Sequence, residues 1–317
     1  MKPFRAVMLA LLLAAALPGG ASAQDRLKLA VGQYGNWATS VAEVGQRGGV
    51  FRRHGLELQL LYTQGSGETQ QAVLAGGADI GVAVGVMGAL SAYAKGAPVR
   101  IIGAETTGAS DLYWYVRADS PIRTLQDFSG HTVAYSTSGS STQAVMTAMV
   151  RQHGLKARLV ATGSPVATLT QVMSGQVDVG WAAPPDGLDQ LDRGEIRIIT
   201  NGNAASIFKD QTVRVLVTTA QTIAARRDVV TRFMRAYRET ARWLYSDDAA
   251  LQVYADWLGM SLAKARRTRD EFFPWAALDP DTIVGLDALM RDAVEMKYIA
   301  APLGKVQLEE LIALPPQ

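Results

Sequence analysis

The chain has 317 residues, 48% of them hydrophobic and 19% charged, with 31 basic and 29 acidic side chains and no cysteine. This composition excludes a disordered or fibrous protein, and at about 100–200 residues per domain the length suits two domains. Without cysteine there is no disulfide framework, thiolate zinc site, iron–sulfur cluster or cysteine nucleophile; three histidines (His54, His131, His153) leave little for a metal cluster, and a formal charge of +2 with no basic stripe carries no nucleic-acid footprint.

Along the chain, Met1-Lys2-Pro3-Phe4-Arg5 is a short positive stretch and Ala6 to Leu17 is apolar. Pro18-Gly19-Gly20 breaks the run, and Ala21-Ser22-Ala23 is a small-x-small cleavage site. That is the three-part pattern of a secretory signal peptide. Residues 1–23 are therefore expected to be removed on export. The mature chain then loses Lys2 and Arg5 and has zero net charge. The apolar run falls short of the roughly 20 residues that span a bilayer, and no cysteine follows it for lipid attachment. No second long apolar run appears, so a soluble mature protein with no membrane span is expected.

The next elements form a repeat. Phe51-Arg52-Arg53-His54-Gly55-Leu56 returns as Val150-Arg151-Gln152-His153-Gly154-Leu155, at an offset of 99 residues. At the same offset Thr63 meets Thr162, Thr69 meets Thr168, Asp79 meets Asp178 and Gly81 meets Gly180. The chain thus carries two copies of one supersecondary unit. In each, a helix ends at His-Gly, where glycine takes the left-handed cap position and histidine lies near the carbonyl end of the dipole. A strand follows (Leu58 to Tyr62; Ala157 to Ala161), then a polar turn and a helix stopping at Gly76 or Gly175. The unit closes on a strand around Ile80 to Val84 or Val177 to Ala182. His54 and His153 read as helix ends, and Asp79 and Asp178 as turn-stabilising aspartates.

Another strand precedes each unit, Leu27 to Val31 and His131 to Tyr135, so each copy reads β-α-β-α-β. Val99 to Ala104, Asp111 to Arg117, Ile196 to Thr200 and Val213 to Thr219 also read as strands. From about Thr222 to Lys297 the apolar spacing is helical, with Asp279-Pro280-Asp281 as a helix start. Alternating strands and helices of these lengths predict an α/β protein with parallel sheets covered on both faces.

In open α/β sheets the ligand crevice lies beyond the carboxyl ends of the strands. In the first copy that places Gln33, Tyr34 and Trp37 at the crevice, with Ser66 in the turn Gln64–Thr69 and Gly85 and Val86 after the last strand. In the second it places Ser138, Gly139, Ser141 and Thr142, then Trp181, Pro184 and Asp186. Ser136-Thr137-Ser138-Gly139-Ser140-Ser141-Thr142 opens a helix, where unpaired N–H groups and the dipole favour an anionic head. An ordinary Ser/Thr cap is the alternative. Tyr34 and Trp37 offer aromatic walls with polar tips, and Trp181 a cover for the ligand from the opposite side; core packing is the alternative for all three. Gln64-Gly65-Ser66-Gly67-Glu68-Thr69 lacks the Gly-Lys-Ser/Thr of a P-loop. No Ser–His–Asp arrangement, metal motif or glycosidase-like carboxylate pair is visible, so no catalytic residue, metal or cofactor is expected. The crevice loops contain no lysine or arginine, and anion binding by neutral donors follows.

Taken together, the signal peptide, the run Gly65–Gly81, the loop Ser136–Thr142 and Gly175…Asp178…Trp181-Ala182-Ala183-Pro184 resemble periplasmic solute-binding proteins. Within them the sulfonate/nitrate/taurine-type receptors of ABC importers are the most similar group. The resemblance covers roughly Leu27 to Leu303. It implies a two-lobed type II periplasmic binding-protein fold, each lobe a mostly parallel sheet flanked by helices, with two crossing strands at about Leu112–Arg117 and Val213–Thr219. Lobe one would be residues 24–114 plus 215–317 and lobe two 115–214. It also implies a monomer that binds a small organic anion and delivers it to an ABC permease with a cytoplasmic ATPase. The same superfamily includes pyrimidine-precursor receptors and an enzyme that builds the thiamine pyrimidine, whose cysteine-rich motif this chain lacks. A receptor for a pyrimidine-type heterocycle, an enzyme on the same fold, and a ligand-sensing partner of a membrane kinase are the alternatives.

Overall fold

The computed structural model describes residues 24–316; the expected signal peptide lies outside the described residues. Ten strands follow one another as β1 (Asp25–Gly32), β2 (Leu56–Thr63), β3 (Ile80–Gly85), β4 (Val99–Thr107), β5 (Tyr113–Arg117), β6 (Thr132–Tyr135), β7 (Arg158–Ala161), β8 (Gly180–Ala182), β9 (Ile196–Asn201) and β10 (Thr212–Thr219). The first sheet has the order β2-β1-β3-β10-β4. β1 pairs in parallel with β2, from Asp25 opposite Leu56 to Gly32 opposite Thr63. β3 is buried at every position, as a strand covered on both faces should be.

In the second half, β6 pairs in parallel with β7, and β5 lies between β8 and β9. A parallel bridge from Val133 to Val179 joins the two parts, with Ala134 N–H donating to Val179 O at 2.8 Å. The resulting order, β7-β6-β8-β5-β9, repeats that of the first sheet. In each lobe the fourth strand of this order, β10 or β5, runs antiparallel to its neighbours. In both lobes this antiparallel strand is the one that arrives from the other lobe.

The 99-residue repeat extends to single hydrogen bonds. Thr63 Oγ1 meets Thr69 Oγ1 at 2.7 Å, and Thr162 Oγ1 meets Thr168 Oγ1 at 2.6 Å. Each pair ties the end of a strand to the first turn of the following helix. Asp79 Oδ2 accepts from Lys28 N–H and Asp178 Oδ2 from Thr132 N–H, both at 2.8 Å, so both aspartates staple the start of a strand. Gly55 and Gly154 sit at φ +70° and +63°, the left-handed region that leaves glycine without strain.

Lobe one is completed by the helices after β10. The long helical segment Ala220–Ser246, kinked at Arg226, buries Val229, Val230, Phe233, Met234, Tyr237, Ala241 and Leu244, a stripe at helical spacing. Phe233 stacks on Phe51 with ring centres 5.6 Å apart. The helix expected from Asp279 begins instead at Leu286. Asp281 is held by Arg238, and Pro280 O accepts from Ala104 N–H, so this stretch turns against β4 before the helix begins. The chain crosses between lobes after Thr107 and returns after Asn201. The segments expected as crossings, Leu112–Arg117 and Val213–Thr219, fall mostly inside the sheets as β5 and β10, because their side chains are buried on both faces. No described helix is long and apolar enough to cross a membrane.

Candidate functional site

The loops at the carboxyl ends of the two sheets meet along a seam. Ser66 Oγ accepts from Ser141 N–H at 2.9 Å, and Gln64 Oε1 from Ser164 N–H at 3.2 Å. Pro184 O accepts from the side-chain amide of Asn36 and from Trp37 N–H, both at 3.4 Å. Glycine lines this seam because backbones touch there. A Cβ on Gly67 would lie 2.0 Å from Ser138 O, one on Gly85 2.9 Å from Ser141 N, and one on Gly88 2.8 Å from Gly139 O. The lobes are closed on one another.

Among the described residues an inner and an outer space lie between them. The inner one is about 10 Å³ and is lined by Gln33, Ser66, Ser141 and Thr142, all expected from sequence, with Ser136, Asp111 and Arg214. Thr142 Oγ1 accepts from Ser136 N–H at 2.9 Å and lies 2.8 and 2.9 Å from Ser136 Oγ and Ser140 Oγ. Ser140 Oγ caps the helix Ser141–Gln152 by accepting from Gln143 N–H. The hydroxyl-rich loop therefore serves as a cap and also brings its helix N-terminus to the seam.

Arg214 was not expected from the crevice loops. It projects from β10 and is 6% exposed. Its Nε donates to Glu105 Oε2 at 3.1 Å and its Nη2 to Asp111 Oδ2 at 2.6 Å. Among the described residues Glu105 Oε1 and Asp111 Oδ1 are buried without partners. Burial pushes the Glu105 carboxyl above its ordinary range, with Arg214 opposing the shift. The crevice loops carry no basic side chain, as read from sequence; the cation in this lining comes from a sheet strand, not a loop. A charged residue inside Val213-Arg214-Val215-Leu216-Val217, a run otherwise fit for a buried strand, was the available signal.

The outer space is a cleft of about 500 Å³ shared by both lobes, with Tyr34, Tyr62, Tyr115, Leu169, Pro185 and Asp186 in its walls. Tyr34 meets the rings of Tyr62 and Trp257 edge-on, each at 5.0 Å. Asp186 carries no side-chain hydrogen bond among the described residues. Burial pushes its carboxyl up to about 7, and Lys264 pulls the other way. Lys264 is itself bound to Asp189 at 2.6 Å.

The folded-state value for Asp186 lies above the unfolded reference of 3.8. Its contribution to stability is therefore complete below that reference and is lost as pH rises through about 7. Urea unfolding is expected to show wild-type stability falling between mildly acidic and mildly basic pH more steeply than that of Asp186→Asn. Equal slopes in the two proteins would contradict the burial of this carboxyl.

The other expected residues line neither space. Gly85, Ser138, Gly139 and Pro184 meet the opposite lobe through backbone atoms, and Val86 is buried at the start of the helix Val86–Ala94. Trp37 is in the core, its Nε1 donating to Tyr245 Oη at 3.0 Å. Trp181 is fully buried opposite Trp114 in the β5–β8 ladder, and its Nε1 has no partner. A cover for the ligand is not where the structure puts it; packing between strands accounts for the ring. Trp181→Phe is expected to lower apo stability by about 1–3 kcal/mol and to leave ligand affinity unchanged. Calorimetric unfolding with a ligand titration checks this, and a loss of affinity at intact stability would reverse it.

Two α/β lobes of matching strand order, connected by two crossings and meeting at the carboxyl ends of their sheets, define a two-lobed periplasmic-binding-protein fold. The NMT1/THI5-like family profile matches residues 41–269, and the chain belongs to that family. A search of curated proteins finds no match. Solved structures similar in fold include the alkanesulfonate-binding protein SsuA from Xanthomonas axonopodis pv. citri bound to MOPS (TM-score 0.70, 18% identity, covering 86% of this chain and 90% of that one). The periplasmic aliphatic sulphonate binding protein SsuA from Escherichia coli is similar at TM-score 0.64 and 18% identity, covering 92% and 93%. The periplasmic nitrate-binding protein NrtA from Synechocystis PCC 6803 is similar at TM-score 0.68 and 11% identity, covering 90% and 84%.

Proposed function

We propose that the chain is the extracytoplasmic solute-binding component of an ABC importer, closing its two lobes on a small organic anion for a membrane permease powered by a cytoplasmic ATPase. The observation that carries the choice of an anion is the Arg214 guanidinium, in the same lining as Ser66, Ser136, Ser141 and Thr142. A guanidinium, hydroxyls and a helix N-terminus together suit an oxyanion. The aromatic cleft beside them suits an organic body. Sulfonate and nitrate binding by proteins of similar fold supports the same reading.

One observation favours a second reading, a pyrimidine-type heterocycle. Asp186 lines the cleft and Asp111 Oδ1, in the lining of the inner space, is buried without a donor; ring N–H or amino groups would suit both carboxylates. Titration calorimetry with butanesulfonate and with an aminopyrimidine separates the two. The first reading expects heat from the sulfonate alone, and binding of the pyrimidine alone would replace it by the second. Mass spectrometry of the bound molecule after incubation should return it unchanged; a new mass would point to an enzyme instead.

A further inference from the structure

A further cavity lies away from the seam. It is an open groove of about 770 Å³ on the outer face of lobe one, and it shares no residue with either space between the lobes. Arg53, Arg235, Arg238 and Arg242 line it with Trp243, and the single acid is Glu239. That acid is already engaged: Arg53 and His54 each hold one of its oxygens at 2.7 Å, and together they keep its carboxyl below the ordinary range. Arg238 is buried and committed to Asp281 and to the carbonyls of Pro315 and Pro316.

Arg235 and Arg242 are different. Both are exposed, and neither makes a hydrogen bond or ion pair among the described residues. They stand seven positions apart on the helix Ala220–Ser246, with Arg238 between them, so the three guanidinium stems share one face. The opposite wall is tightly built. A Cβ on Gly48 would lie 2.4 Å from the indole of Trp243, so the turn after the helix Val41–Arg47 packs directly on the ring. Gly49 takes φ +74° to complete that turn.

We propose that this groove docks a carboxylate-rich peptide segment of a partner protein, with Asp or Glu side chains flanking an apolar residue. The excess positive charge in the lining calls for an anionic occupant. Guanidinium forks match carboxylates two bonds at a time, and the indole face supplies apolar contact for a side chain between the acids. The groove is concave, which suits an inserted chain rather than a flat surface. Every lining residue belongs to lobe one, so the site keeps its shape whether the lobes are open or closed. Docking is therefore a tether, independent of the ligand between the lobes.

Fluorescence anisotropy of the full mature protein tests this with a labelled peptide of Glu and Asp around a central Leu. Binding is expected at low ionic strength and is expected to weaken with salt. Arg235→Glu/Arg242→Glu should weaken it by at least about tenfold. Arg123→Glu/Arg158→Glu, at exposed positions of lobe two, should change it less than about twofold, as distant surface charges act weakly. Ligand titration between the lobes should be the same in all three proteins, and peptide affinity should not change with that ligand present. The proposal is overturned if wild type ignores the peptide, if both double variants lose it equally, or if the groove variant binds it as wild type does. Binding of anionic phosphatidylglycerol vesicles or of pyrophosphate in place of the peptide would assign the groove to that anion instead.

Discussion

Replacing Arg214 with methionine is expected to cost about 3–5 kcal/mol of folding stability and to abolish ligand capture. The side chain of Arg214 is 7% exposed and is the partner of two carboxylates that are buried as deeply, Glu105 at 3.1 Å and Asp111 at 2.6 Å. Methionine fills much of the volume but leaves both acids without a counter-charge in a poorly solvated place. They also flank the first crossing between the lobes, with Glu105 in β4 and Asp111 just before β5. Without Arg214 the pull that opposes the upward shift of the Glu105 carboxyl is gone. The penalty should therefore shrink as pH falls and the acids take up protons, and adding Glu105→Gln and Asp111→Asn should recover part of it. Urea unfolding at two pH values measures both effects. A loss below about 1 kcal/mol would show that the triad contributes little to the fold.

Gly67→Ala is expected to act on closure and not on folding. A Cβ there would sit 2.0 Å from Ser138 O, a backbone atom of the other lobe that cannot rotate away. Position 67 has an ordinary helical backbone, so the separated lobes accept alanine with a change within about 0.5 kcal/mol. The closed arrangement does not accept it. Apparent affinity falls in proportion to the population of the competent state, and a loss of at least about a hundredfold is expected from a clash this deep. Titration calorimetry beside an unfolding curve separates the two effects. Wild-type affinity in Gly67→Ala would mean that the ligand is held without the contact between Gly67 and Ser138.

The repeat made most of the architecture legible. Residues matched at the 99-residue offset occupy matching places, down to the Thr63–Thr69 and Thr162–Thr168 pairs and the strand-stapling Asp79 and Asp178. Such features lie within one β-α-β-α-β copy, and duplication states each of them twice. Arg214 escaped because its strand enters the first sheet, between β3 and β4, only after a long excursion through lobe two. Loop inspection has no view of a side chain that reaches the site from there. Trp181 was misplaced for a related reason. Residue type shows a large ring at a strand end, but its direction is set by pairing with β5, which crosses from the other lobe. Tyr62 and Tyr115 reach the cleft from strands in different lobes, and only the closed arrangement brings them to one wall.

The central claim is that ligand is held by closure of the two lobes, and distances across the seam test it most directly. The chain has no cysteine, so Leu61→Cys in β2 and Met173→Cys at the end of the helix Pro165–Met173 give two unique spin-label sites. The native side chains there are 55% and 40% exposed and lie in different lobes. Electron–electron double resonance on the labelled protein should give a broad or longer distance distribution without ligand. The ligand identified by titration should collapse it to one shorter distance, because differential contacts favour the closed form. A saturated sample whose distribution matches that of the free protein would contradict the account.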